Sequence, residues 1–135
     1  MPARNHNVFA SRLVDERGAV AAEFALVLPI LLILIFGMVQ LGLTYQRQEA
    51  VHAAAREGAR VASLPTTTTT EACASATSAL SGTGFTATPT CTASGDCSSS
   101  SGTVVVTVTV SNSIEIPFFG SPTFDLTGLG EFRCE

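Results

Sequence analysis

The chain has 135 residues, yet it carries no lysine, no tryptophan and a single tyrosine. Only 13% of its residues are charged, about half the share of an ordinary soluble domain. Its seven basic residues are all arginine, and the formal net charge is −4. No basic face can be assembled from so few cations, so nucleic acid is excluded as a partner. Catalytic patterns are missing too. There is no glycine-rich phosphate loop, no Ser/His/Asp set and no paired carboxylates, so no enzymatic activity and no cofactor are expected. Metal ligation also fails. Five residues lie between Cys91 and Cys97, which is not a zinc spacing, and His6 and His52 are remote from them.

Charge is instead absent where apolar residues concentrate. The sixteen residues Phe24 to Val39 hold no polar side chain, and no charge occurs between Glu23 and Arg47. In the 25 residues from Ala19 to Leu43, only Glu23 and Gln40 are polar. As a helix this segment spans roughly 37 Å, enough for a hydrocarbon core of about 30 Å. The rest of the chain is too polar to bury it as a core helix. A signal peptide has a shorter apolar region and a small-residue cleavage site soon after it. The segment therefore reads as a membrane helix, Phe24 to Leu43, with Pro29 tolerated inside it. Arg4, Arg12 and Arg17 precede it, and Arg47, Arg56 and Arg60 follow, so flanking charge does not orient it. All four cysteines lie beyond it, which places the N-terminus inside and the C-terminal region in an oxidising exterior.

Helical character continues from Thr44 to Leu64, giving 46 residues and roughly 69 Å when counted from Ala19. Val51, Ala54, Ala55, Gly58, Val61 and Ala62 form one face of small residues. From Thr66 to Thr103, 20 of 38 residues are Ser or Thr. Within that stretch Thr66–Thr70 is a linker, Glu71–Leu80 a short helix, Phe85–Thr92 a strand and Ser98–Ser101 a loop. Thr103–Val110 is the clearest strand, with Val104, Val106, Val108 and Val110 on one face. A turn around Pro117–Pro122 leads to a last strand, Thr123–Phe132. The expected class is α+β: a long N-terminal transmembrane and amphipathic helix, then a module of a short helix and a three-stranded antiparallel sheet. Its divisions are 1–18, a cytoplasmic leader; 19–43, the membrane helix; 44–64, its continuation; and 65–135, a disulfide-containing module. In a meander of these strands, Cys73, Cys91, Cys97 and Cys134 all fall near one end of the sheet. Three pairings remain open, with Cys91–Cys134 the least favourable and Cys73–Cys91 with Cys97–Cys134 preferred.

Two motifs carry a resemblance. Arg17-Gly18-Ala19-Val20-Ala21-Ala22-Glu23-Phe24 resembles the processing site of type IV prepilins, in which a prepilin peptidase cuts after a glycine and the mature chain has Glu as its fifth residue. This implies cleavage between Gly18 and Ala19 and a charge pair between Glu23 and the new amine of a neighbouring subunit. Ala19 departs from the Phe or Met with which many such pilins begin. Together with Leu28-Pro29 and Ala54-Ala55-Arg56-Glu57-Gly58-Ala59-Arg60, the segment from Arg17 to Ser63 resembles the TadE/TadG-like pseudopilins of the Flp (tight adherence) pilus. The resemblance implies an inner-membrane subunit, extracellular when assembled, that contacts lipid, prepilin peptidase, other pilins and the assembly platform and serves pilus assembly or adhesion. The alternative expectation is an uncleaved single-span protein whose external module binds a ligand or partner.

Overall fold

The computed structural model describes residues 8–95, 97, 102–116 and 120–134, with side chains from Gly18 onward. Arg4, His6, the Ser98–Ser101 loop and Pro117 lie outside the described residues. The first helix, α1, runs Val8–Ala62, and Pro29 is inside it. It therefore begins upstream of Ala19, and Gly18 is an interior helical residue. Its far end comes at Ala62 because Pro65 cannot continue a helix and disfavours helical geometry just before itself. The last turn tightens there: the Leu64 amide donates to the Val61 carbonyl three residues back, and the Ser63 hydroxyl donates to the Arg60 carbonyl.

The second helix, α2, is Thr69–Ala79, close to the expected span. Its start is a reciprocal cap. The Glu71 amide donates to Thr68 Oγ1 (3.2 Å) and the Thr68 amide donates to Glu71 Oε2 (2.8 Å). Two amides without helical partners are satisfied in this way. The Thr68 donors hold the Glu71 carboxyl below the usual carboxylate range.

Three strands follow: β1 Thr90–Ser94, β2 Thr103–Ser113 and β3 Thr123–Arg133. They form an antiparallel meander in the order β1-β2-β3. The fold class is the expected α+β. One boundary is not as expected: β1 begins at Thr90, whereas the sequence placed a strand at Phe85–Thr92. Pro89 has no amide proton to give a ladder, so pairing starts only after it. Phe85 packs against the core from outside the sheet.

This shift relocates the cysteines. Cys91 becomes an early residue of β1, opposite Val108. Cys134 follows Arg133, which pairs with Thr103 at the other end of β2. The cysteines are therefore not gathered at one end: five residues of β2 separate these levels, or roughly 17 Å of strand. The preferred pairing is nevertheless the one present. Cys73 bridges to Cys91 and Cys97 to Cys134, with Cα separations of 5.6 and 5.3 Å. One bridge ties α2 to β1, and the other ties the segment before β2 to the downstream end of β3.

The chain divides into two units, residues 1–38 and 39–135. In the second, the core is made of small side chains. Val104, Val106, Val108 and Val110 of β2 are all at least 98% buried, and they meet Val51, Ala54, Ala55, Ala59 and Ala62 of α1 and Ala72 and Ala76 of α2. The buried helix face includes Ala59, while Val61 is only half-buried. Elements approach closely wherever a side chain is missing. A Cβ at Gly58 would lie 2.8 Å from Ala76 Cβ, and one at Gly130 would lie 2.7 Å from the Arg56 amide nitrogen. A Cβ at Gly128 would lie 2.8 Å from the His52 amide nitrogen. The two β3 glycines thus let the strand touch the backbone of α1 directly.

Candidate membrane and assembly surface

Every residue from Gly18 to Val39 is exposed. The uncovered side chains are large: Phe24 is 61% exposed, Leu26 76% and Leu34 55%. Monomeric soluble proteins rarely expose apolar surface on this scale, and a continuous sleeve of it marks a surface meant for lipid or another chain. Among the described residues, one helix is long and apolar enough to cross a membrane, and its most apolar stretch is not buried at all by the rest of the chain. A long apolar helix of this kind suggests membrane anchoring.

The candidate processing and pairing residues lie along the start of this segment. Gly18 and Ala19 are in regular helix, and a Cβ at Gly18 would meet nothing within 4 Å. Neither packing nor backbone geometry requires glycine there, although glycine weakens a helix interior by about 1 kcal/mol relative to alanine. Glu23 is exposed and has no ion-pair partner among the described residues. Because α1 starts at Val8, Glu23 is 15 residues into the helix and gains nothing from the helix dipole, which acts only in the first turn. The structure brings Gly18, Ala19 and Glu23 onto one helical segment and, among the described residues, pairs no cation with Glu23.

The Ala-rich string beyond the apolar segment has the packing role its composition suggests. Ala54, Ala55, Gly58 and Ala59 are buried, while Arg56 and Arg60 are exposed. Arg60 pairs with Glu57 (2.7 Å), which lowers the Glu57 carboxyl below its usual range and raises the guanidinium. Both groups are solvated, so the pair contributes little to stability.

A second group was not read from the sequence. Arg47 donates to Asn112 Oδ1 (2.6 Å) and lies over the Phe85 ring, 6.0 Å from its centroid. Asn112 is only 5% exposed. Since Arg can only donate, the Asn112 oxygen must face it, which fixes the other amide atom as nitrogen. Among the described residues that buried nitrogen has no partner, a deficit worth about 1–3 kcal/mol. The signal was present in β2. Asn112 continues the inward-facing series of Val104, Val106, Val108 and Val110, a polar residue on the apolar face.

Among the described residues, no three His, Cys, Asp or Glu side chains are grouped so as to hold a metal. No curated protein and no solved structure matches this chain. In comparison with protein families, residues 18–60, from the glycine at the candidate cleavage site through the packed Ala-rich string, match the family of TadE-like proteins.

Proposed function

We propose that the protein is a minor pseudopilin of a Tad/Flp-type pilus or a related secretion system. It is inserted in the inner membrane with its N-terminus inside, cut by prepilin peptidase after Gly18, and passed from the bilayer into a filament by its apolar helix. The observation that carries this reading is the extent of the TadE-like match. It begins at Gly18 and covers both the exposed apolar segment and the helix face that the sheet packs against. Three features add support. Gly18 has no packing role, which suits a bond that must leave helical geometry to be cut. Cleavage would make Glu23 the fifth residue of a new helix, so that the carboxylate enters the first turn and gains the dipole it now lacks. Two disulfides suit a module that faces an oxidising compartment.

In the filament, Glu23 pairs with the Ala19 amine of an adjacent subunit. A charge left unpaired in an apolar assembly is strongly destabilising, so this pair sets the subunit register. The partners are then lipid before assembly, prepilin peptidase during maturation, and other pilins with the assembly platform afterwards. The module contributes to adhesion or to packing between subunits.

The test is the N-terminus of the membrane-bound protein. Mass spectrometry or Edman degradation should find Ala19 as the first residue. An intact Met1 in cells with active prepilin peptidase overturns the proposal in favour of an uncleaved single-span protein with a binding module. Glu23→Ala should insert normally yet fail to enter filaments, and normal incorporation would remove the charge-pair role.

A further inference from the structure

Beside Arg47 and Asn112 is an open cleft of about 420 Å³, a volume in the range of small-ligand sites. Its lining includes Gln40, Leu43, Arg47, Phe85, Asn112 and Glu115. Three properties of that lining restrict what it can hold. First, Arg47 is a pure donor, so one side of the cleft calls for an anionic acceptor. Second, Glu115 supplies an exposed carboxylate, which opposes a ligand that is only anionic. Third, Gln40 and Leu43 are the last residues of the apolar run, so a membrane-inserted chain carries this cleft at the level of the outer headgroups.

We propose that the cleft binds the headgroup of a zwitterionic phospholipid bearing a primary ammonium, with its phosphate on Arg47 and its ammonium on Glu115. Opposite charges a few bonds apart in the ligand face opposite charges on two elements of one cleft, α1 and the segment after β2. A primary ammonium has protons to donate to Glu115, and a quaternary one has none. Nor is an aromatic cage open to a quaternary ammonium, since the Arg47 guanidinium already occupies the Phe85 face. This inference rests on the membrane-spanning part of the function proposed above, but not on cleavage or filament entry.

The test uses the full chain in vesicles of phosphatidylethanolamine, phosphatidylglycerol or phosphatidylcholine. Mild detergent extraction is followed by a count of retained lipid by native mass spectrometry. Phosphatidylethanolamine should be retained about tenfold more than the other two, equivalent to 1.4 kcal/mol. Arg47→Gln, which keeps a donor for Asn112, should lower that retention to the phosphatidylcholine level. Glu115→Gln, at an exposed site, should abolish the preference for phosphatidylethanolamine over phosphatidylglycerol even if the Arg47 variant does not fold. Equal retention of the three lipids, or an unchanged preference in the Glu115 variant, overturns the proposal. Displacement of the lipid by millimolar inorganic phosphate overturns it as well, by making the cleft a free-anion site. Alkaline carbonate extraction separates the two possible failures. A chain released from membranes refutes the anchoring reading, whereas an integral chain indifferent to headgroup refutes only this one.

Discussion

The two units of this chain place their hydrophobic residues in opposite ways. In residues 18–38 the large side chains, Leu, Ile and Phe, are all exposed. In residues 39–135 the interior is built mainly of Val and Ala, with Leu80 and Leu126 its largest members. A chain limited to burying its own apolar surface would do the reverse, since a buried Leu or Phe contributes more than a buried Ala. The difference shows that the strongest hydrophobic surface is reserved for surroundings outside the fold. The module is left to hold together by close approach and covalent bonds.

Removing those bonds should produce the largest effect. By loop-closure entropy, the Cys97–Cys134 bridge, with 37 residues of separation, is worth about 4 kcal/mol. The Cys73–Cys91 bridge, with 18, is worth about 3 kcal/mol. Denaturant titration of the double serine variants in detergent should rank them in that order. Equal stability with and without both bridges would show that the small-residue core suffices alone.

The glycines sharpen the comparison next. Gly130→Ala forces a methyl group against the backbone of Ala55 and Arg56 and should destabilise the module by about 1–3 kcal/mol, the usual cost of overpacking. Gly18→Ala meets open space and should leave the module's unfolding midpoint unchanged while slightly strengthening the helix. If both substitutions were silent in denaturant titration, direct strand-to-helix contact would not be what closes the core.

The smallest effect concerns pH. The Glu71 carboxyl is held low in the folded cap, so its contribution is complete above the ordinary carboxylate range. It is lost as pH falls through the lowered value. Circular dichroism of α2 unfolding should therefore show stability falling on acidification, and Glu71→Gln should flatten that dependence. A pH profile identical in the variant would mean that the cap does not contribute.

Much of this contrast was legible in the sequence, because it depends on periodicity. Val at every second position gave β2 and its buried face, and sixteen residues without a polar side chain gave the exposed helix segment. The position of β1 was not legible. Phe85 has strand character by composition, but Pro89 stops the ladder, and Phe85 packs outside the sheet. The separation of the two disulfides follows from that shift. Nor do Gly128 and Gly130 announce their purpose locally. They weaken a strand by composition, and only the presence of α1 against them explains the choice. Asn112 was missed because the valine pattern was followed to Val110 and no further.

The closure of β3 has a kinetic consequence. A strand pair ordinarily opens by fraying from its ends. Here the downstream end of β3 is sealed by Cys134, whose amide also donates to the Gly102 carbonyl (2.9 Å). Its middle is held at Gly128 and Gly130 by the helix backbone. The opposite end is closed by the turn, where the Ile114 amide donates to the Pro122 carbonyl and the Ile116 amide to the Gly120 carbonyl, so neither end of the β2–β3 pair is free to fray and amide hydrogen exchange should be slow along the whole pair.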